Sequence, residues 1–191
     1  MRKRRCHPGP IAALLLLAAL PLIGCVPEGG DGPALTPAPE PSWQEVAARL
    51  PERIGSFQRG SAMPLPAGAT GLEIPYANPG RVIAGYVRII PQAAAPVAEA
   101  ALQQHVAEVT GAAAAHRRLG EQARLDLPAG REAFFRCVEL GGHFGRQPVD
   151  SLLCSGARGR NLIQLRLTMA RREGRLEQAR EFAAAVAAAL R

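Results

Sequence analysis

Near the C-terminus the apolar residues Ile163, Leu165, Leu167 and Met169 alternate with Gln164, Arg166 and Thr168. Successive side chains of a strand point to opposite faces, so this period of two predicts a strand over Asn161–Met169 with one buried face. From Glu173 to Leu190 the spacing changes. Leu176, Ala179, Ala183, Val186 and Leu190 recur three and four residues apart with Phe182 beside them, which predicts a closing helix packed on a sheet. Arg81 to Ile90 is β-branched and aromatic and is bounded by Pro79-Gly80 and Pro91, a strand signature. Shorter strands are expected at Ile54–Arg59 and Gly71–Tyr76. The second of these belongs at a sheet edge, because Pro75 has no N–H to give to a ladder.

Two helices are expected in the first two thirds of the chain. Ser42 and Glu45 stand in capping-box relation before Trp43, Val46 and Leu50, and Pro51 stops that short helix. Pro96 suits a first helical position; Leu102, Val106 and Val109 then share one face, with Gly111 as a stop and the alanines to Ala115 as a possible extension. His105 lies at the margin of that face and reads as a half-buried structural residue. Further strands are expected over Gln122–Leu127, Glu132–Leu140 and Val149–Ser155, the last joined to Asn161–Met169 across Gly156–Arg160. The pattern predicts an α+β fold: a single domain over 42–191 in which an antiparallel β-sheet is packed by two main α-helices. About 150 residues is an ordinary size for one core.

The N-terminus follows a different logic. Arg2, Lys3, Arg4 and Arg5 precede an apolar run from Ile11 to Ile23, then Gly24 and Cys25. This is the layout of an export signal, and a run this short falls below the roughly 20 residues of a spanning helix. Leu22-Ile23-Gly24-Cys25 resembles the lipobox of bacterial lipoproteins. The resemblance implies cleavage after residue 24, diacylglycerol on the Cys25 thiol and acylation of the new amine. Two or three acyl chains hold a protein stably on a membrane where one does not. An ordinary secretory signal is the alternative, though no comparable small-x-small cleavage site lies beside the apolar run. In proteobacterial lipoproteins a residue other than Asp after the cysteine directs the protein to the outer membrane, so Val26 implies its periplasmic face. Residues 25–41 carry Pro27, Pro33, Pro37, Pro39 and Pro41 with few large apolar side chains. Such a stretch reads as a flexible, semi-extended linker.

Charge adds less than it first promises. The formal net charge is +7, but four of the 23 basic residues lie in residues 1–24 and all 16 acids lie after Cys25. The expected mature chain thus has 19 arginines against 16 acids, a net +3, with Lys3 as the single lysine of the sequence. From Arg117 onward there are 14 arginines and 8 acids. Arg158, Arg160, Arg171 and Arg172 are therefore candidates for contact with an anionic partner. An envelope protein or an anionic glycolipid fits that description, and nucleic acid is not expected.

Cys137 and Cys154 remain after Cys6 and Cys25 are assigned to the signal and the anchor. Their midpoint falls in the Gly141–Arg146 connection, so an unbulged hairpin sets them opposite one another. In the non-hydrogen-bonded kind of pair a disulfide can then form, and the compartment of an exported chain permits it. A bulge or register slip would leave two buried thiols instead. A thiol enzyme would need His143 as its base, since no Cys-x-x-Cys is present. No Gly-x-Ser-x-Gly, phosphate loop, His-Glu-x-x-His or metal-spaced Cys/His cluster occurs either. No cofactor is expected. A non-catalytic binding or assembly module is the reading, with an envelope hydrolase or thiol enzyme as the alternative.

Leu50-Pro51-Glu52-Arg53-Ile54-Gly55-Ser56-Phe57-Gln58-Arg59-Gly60 resembles the opening of a group of uncharacterised proteobacterial exported proteins. That resemblance implies strands, a helix, more strands and a final helix, and no activity. The element order is also similar to that of PsbP/Mog1-like domains, an analogy of fold that implies a binding or assembly role.

Overall fold

Ser42 and Glu45 close the first helix reciprocally. The Glu45 N–H donates to Ser42 Oγ at 3.2 Å, and the Ser42 N–H donates to the Glu45 carboxylate at 2.7 Å. Two otherwise orphaned donors are satisfied in this way, and α1 (Trp43–Arg49) ends just before Pro51. The structure is a computed structural model that describes residues 39–111, 117–128 and 133–191. The expected signal, Cys25 and most of the expected linker lie outside those residues, as do Glu132 and the alanines after Gly111.

After α1 the described residues form β1 (Arg53–Ile54), β2 (Phe57–Arg59), β3 (Met63–Pro64), β4 (Leu72–Ala77), β5 (Ile83–Pro91) and α2 (Ala98–Thr110). They continue through β6 (Arg117–Leu127), β7 (Phe135–Phe144), β8 (Gln147–Arg158), β9 (Asn161–Ala170) and α3 (Arg175–Leu190). The fold is α+β: one nine-stranded antiparallel sheet in the order β1-β2-β4-β5-β9-β8-β7-β6, with β3 also pairing β4, packed by α2 and α3. The meander β6 to β9 begins at the far edge and returns to lie against β5.

Several expected boundaries shift, each for a local physical reason. Ile54–Arg59 is not one strand but a tight hairpin, because Gly55 turns the chain at φ +56° and Ile54 pairs with Phe57. Pro96 precedes the helix, which begins at Ala98 after the extended Val97. The strand expected from Gln122 begins at Arg117 and absorbs a bulge between Glu121 and Ala123. The connection expected over Gly141–Arg146 shrinks to Gly145-Arg146, with Gly145 at φ +59°, and Gly141, Gly142 and His143 all sit in β7. At Gly142 a Cβ would stand 1.8 Å from the Arg118 carbonyl oxygen, so the close approach of β6 requires a residue without one. The Gly156–Arg160 connection is likewise reduced to the turn between β8 and β9, and α3 starts at Arg175 rather than Glu173.

Pro75 is not at an edge, since β4 lies between β5 on one side and β2 and β3 on the other. Its carbonyl accepts the Gly60 N–H at 2.8 Å, so its backbone polar groups face the β2/β3 side. There the ladder is broken between Arg59, paired with Tyr76, and Met63, paired with Glu73. The missing N–H therefore falls where no partner strand needs it.

The sheet buries both faces differently. On one, α1 and α3 pack over Ile74, Tyr76, Ile83, Val87, Ile163, Leu165, Leu167 and Met169. Phe182 of α3 sits 4.5 Å from Phe57 and 5.1 Å from Tyr76, centroid to centroid. The alanines Ala179, Ala183 and Ala187 are buried and let α3 lie close to the strands. On the other face α2 covers the β6–β7–β8 side through Leu102 and Val109 against Val138, Leu140 and Leu153.

Within the first core Glu139 is only 5% exposed, and its carboxylate accepts from Arg180 Nε of α3 at 2.5 Å. Loss of a partner leaves a buried charge alone, whereas loss of a surface pair changes little. Arg180→Ala is therefore expected to destabilise the domain by about 2–3 kcal/mol, less than the roughly 3–5 of a fully buried pair because the guanidinium is partly solvated. Arg124→Ala, which breaks exposed, solvent-screened pairs to Glu99 and Glu121, should leave stability nearly unchanged. Urea melts of the two variants compare them directly, and equal midpoints would contradict the assignment.

Candidate functional site

The state of the cysteines decides whether a thiol chemistry is open to this protein. Cys137 and Cys154 are directly opposite in the β7–β8 ladder with Cα atoms 4.1 Å apart, and they are joined as a disulfide. Both are buried, at 1% and 0% exposure. His143 is exposed, near the hairpin tip. The pair thus offers no thiolate, and the base that a thiol mechanism would need stands in solvent. Among the described residues no group of three His, Cys, Asp or Glu side chains is gathered for a metal.

The four arginines singled out by charge are not brought together. Arg158 and Arg160 lie at the β8–β9 turn, and Arg171 and Arg172 follow the last residue of β9. Ten strand residues at about 3.3 Å each separate the pairs by about 30 Å. Arg160 is held by Glu40 at 2.9 Å, beside the point where Asn161 Nδ2 donates to the Pro41 carbonyl at 2.8 Å. Arg171 is held by Asp150 at 2.9 Å. Of the four, Arg172 lines a groove.

That groove, of about 660 Å³, lies at the end of the sheet where β9 stops, opposite the β8–β9 turn. Its apolar lining comes from Val82, Leu119, Phe144, Val149 and Met169, and its basic lining from Arg81, Arg166, Arg172 and Arg175. No Asp or Glu lines it. Arg175 Nη1 donates to the Ala170 carbonyl at 3.0 Å, a backbone bond that leaves its charge uncompensated. Among the described residues Arg81, Arg166 and Arg172 take part in no ion pair. Val82 and Phe144 are 41% and 56% exposed, two of the four large apolar side chains left open among the described residues.

Arg81 is presented by a strained loop. Gly80 and Arg81 adopt φ +70° and +51° in succession, a region that costs a non-glycine residue free energy. Asn78 pins the base of the loop: its N–H donates to the Ile83 carbonyl at 3.1 Å, and its Oδ1 accepts the Ile83 N–H at 2.8 Å. The Arg81 N–H donates in turn to the Asn78 carbonyl at 2.9 Å. Strain held by surrounding bonds marks positions kept for a function rather than for stability. Arg81 also borders a second hollow of about 700 Å³, whose lining includes Arg53, Arg59 and Tyr76.

Arg166 has a second neighbour of note. His105, expected to be half-buried, is 1% exposed, and neither ring nitrogen has a hydrogen-bond partner. Burial first, then the positive charges of Arg166 and Arg88, push its pKa down from 6.5 to about 4. The imidazole is neutral and serves as packing between α2 and the sheet.

Arg81, Arg166 and Arg175 were not legible as site residues in the sequence. Arg166 reads as one polar tooth of an alternating strand, and Arg81 as the residue after a Pro-Gly turn. Compared with known proteins, the chain matches no family model, no curated protein and no solved structure.

Two outcomes follow from this geometry. Glycine tolerates φ above zero, so Arg81→Gly should raise stability by about 0.5–1 kcal/mol even though it removes a groove side chain. A decrease in the unfolding midpoint would show that Arg81 is not strained in place. His105 binds a proton below about pH 4 when folded and below about pH 6.5 when unfolded. Stability is therefore full above pH 6.5 and falls between pH 6.5 and 4, by up to about 3 kcal/mol for this one group. In His105→Leu that portion of the pH dependence should vanish; an unchanged slope in urea melts across the same range would refute it.

Proposed function

We propose that this protein is a lipid-anchored, non-catalytic binding module of the bacterial cell envelope. It would be held by acyl chains on Cys25 at the periplasmic face of the outer membrane. The observation that carries the binding role is the groove at the end of β9, where exposed apolar side chains and arginines without ion-pair partners among the described residues share one surface with no acid in its lining. Unpaired charge beside open apolar surface costs the free protein something that a complementary partner returns. The bonded cysteines and the solvent position of His143 speak against a thiol enzyme.

The anchor is supported by the order of cationic start, short apolar run and Leu22-Ile23-Gly24-Cys25. No helix among the described residues is long and apolar enough to cross a membrane. An envelope protein or an anionic glycolipid is the class of partner that suits the charge.

In a native host, Cys25→Ser should move the protein from the membrane pellet to the soluble fraction after carbonate washing. Intact-mass analysis of the wild-type chain should show an acylated N-terminus at Cys25. An unmodified thiol, or a serine variant that pellets as firmly as wild type, would overturn the anchored reading.

A further inference from the structure

The chemistry of the groove is narrower than that of a general anionic surface. A soluble anion needs only donors, and an uncharged chain needs only apolar wall; here each would leave half of the lining unanswered. Val82, Phe144 and the half-buried Leu119 supply apolar surface, and Arg81, Arg166 and Arg172 supply planar donors free of ion pairs among the described residues. Guanidinium forks match phosphate and carboxylate oxygens two bonds at a time. The volume of about 660 Å³ falls within the roughly 300–1,000 Å³ of small-molecule sites.

From this we infer that the groove binds a single anionic lipid, its acyl chain against Val82, Phe144 and Leu119 and its charged head between Arg81, Arg166 and Arg172. The inference rests on the binding-module reading and names its ligand class. The strained Arg81 loop fits it: Pro79-Gly80 delivers one head-group donor and one apolar wall residue, Arg81 and Val82, from adjacent positions. The charge asymmetry of the chain fits it too, since three of the four groove arginines follow Arg117. No bond is made or broken; the event is a transfer of one lipid from a bilayer or micelle to the protein.

The test uses the purified chain in its soluble Cys25→Ser form and a fluorescent dansyl-undecanoate probe. Saturable one-to-one binding is expected, with displacement by lysophosphatidylglycerol and not by lysophosphatidylcholine, which has the same tail and a zwitterionic head. Arg166→Gln with Arg172→Gln should weaken the probe by about tenfold or more, since each charge-assisted contact is worth about that factor. Phe144→Asp, at an exposed site that does not threaten folding, should weaken it as well. Arg158→Gln with Arg160→Gln, at the other end of β9, should change nothing, and thermal melts should show all variants folded.

Equal displacement by both lysolipids would overturn the inference, as would probe binding that the groove variants leave intact. If pyrophosphate alone binds and the lysolipids do not, the lipid assignment fails while the binding-module reading stands. Failure of the Cys25 fractionation test would instead remove the anchor and leave the groove result as measured.

Discussion

The pairing of β5 with β9 joins two parts of the chain that are otherwise built separately. Nine residue pairs, from Ile83 opposite Met169 to Pro91 opposite Asn161, weld the N-terminal hairpins to the meander of β6 to β9. Without that seam neither α3 nor α1 would find its full apolar floor, because the floor is shared between Ile83 and Val87 on one side and Leu165 and Leu167 on the other. The same seam brings the loop bearing Arg81 and Val82, just ahead of β5, to the end of β9 where Met169 and Arg172 lie. Core and groove are therefore consequences of one register.

The two faces of the sheet divide the work. The α3 face is filled by aliphatic and aromatic side chains and tolerates one charge, Glu139, because Arg180 meets it. The α2 face is mixed: α2 seals the β6–β7–β8 side, while Arg88 and Arg166 of β5 and β9 stay half-exposed on the same face. Tyr86 and Arg88 stack there, with the guanidinium 4.2 Å from the ring centroid, and Arg88 also reaches Glu73. His105 is buried where the sealed and the charged parts meet, and the nearby guanidinium charges help to keep it neutral. A helix that covers only part of a sheet leaves polar side chains at its margin, and in this protein one of them, Arg166, lines the groove.

Glycine and proline in this chain carry a structural meaning that only their neighbours define. Gly141-Gly142-His143 reads as a turn, yet Gly142 lies inside a strand because the Arg118 carbonyl leaves no space for a Cβ. Gly55 reads as part of a strand, yet its φ of +56° makes it a turn. Pro75 reads as an edge residue, yet it sits in an inner strand opposite a gap between two short ones. In each case the residue type is informative and the assignment depends on what approaches it.

The sequence by itself determined the alternation of β9, the capping box of α1 and the stripe of α3, and, for a hairpin without a bulge, the opposition of Cys137 and Cys154. All four depend on residues close in the chain, or on a hairpin whose strands count back equally from one turn. The tertiary structure alone decided which arginines share a surface. Arg158 and Arg172 are 14 positions apart and stand at opposite ends of a strand, whereas Arg81 and Arg172 are 91 positions apart and line one groove. The physical reason is that side-chain periodicity is set within a strand, while the choice of which strand lies beside it is made by burial over the whole sheet.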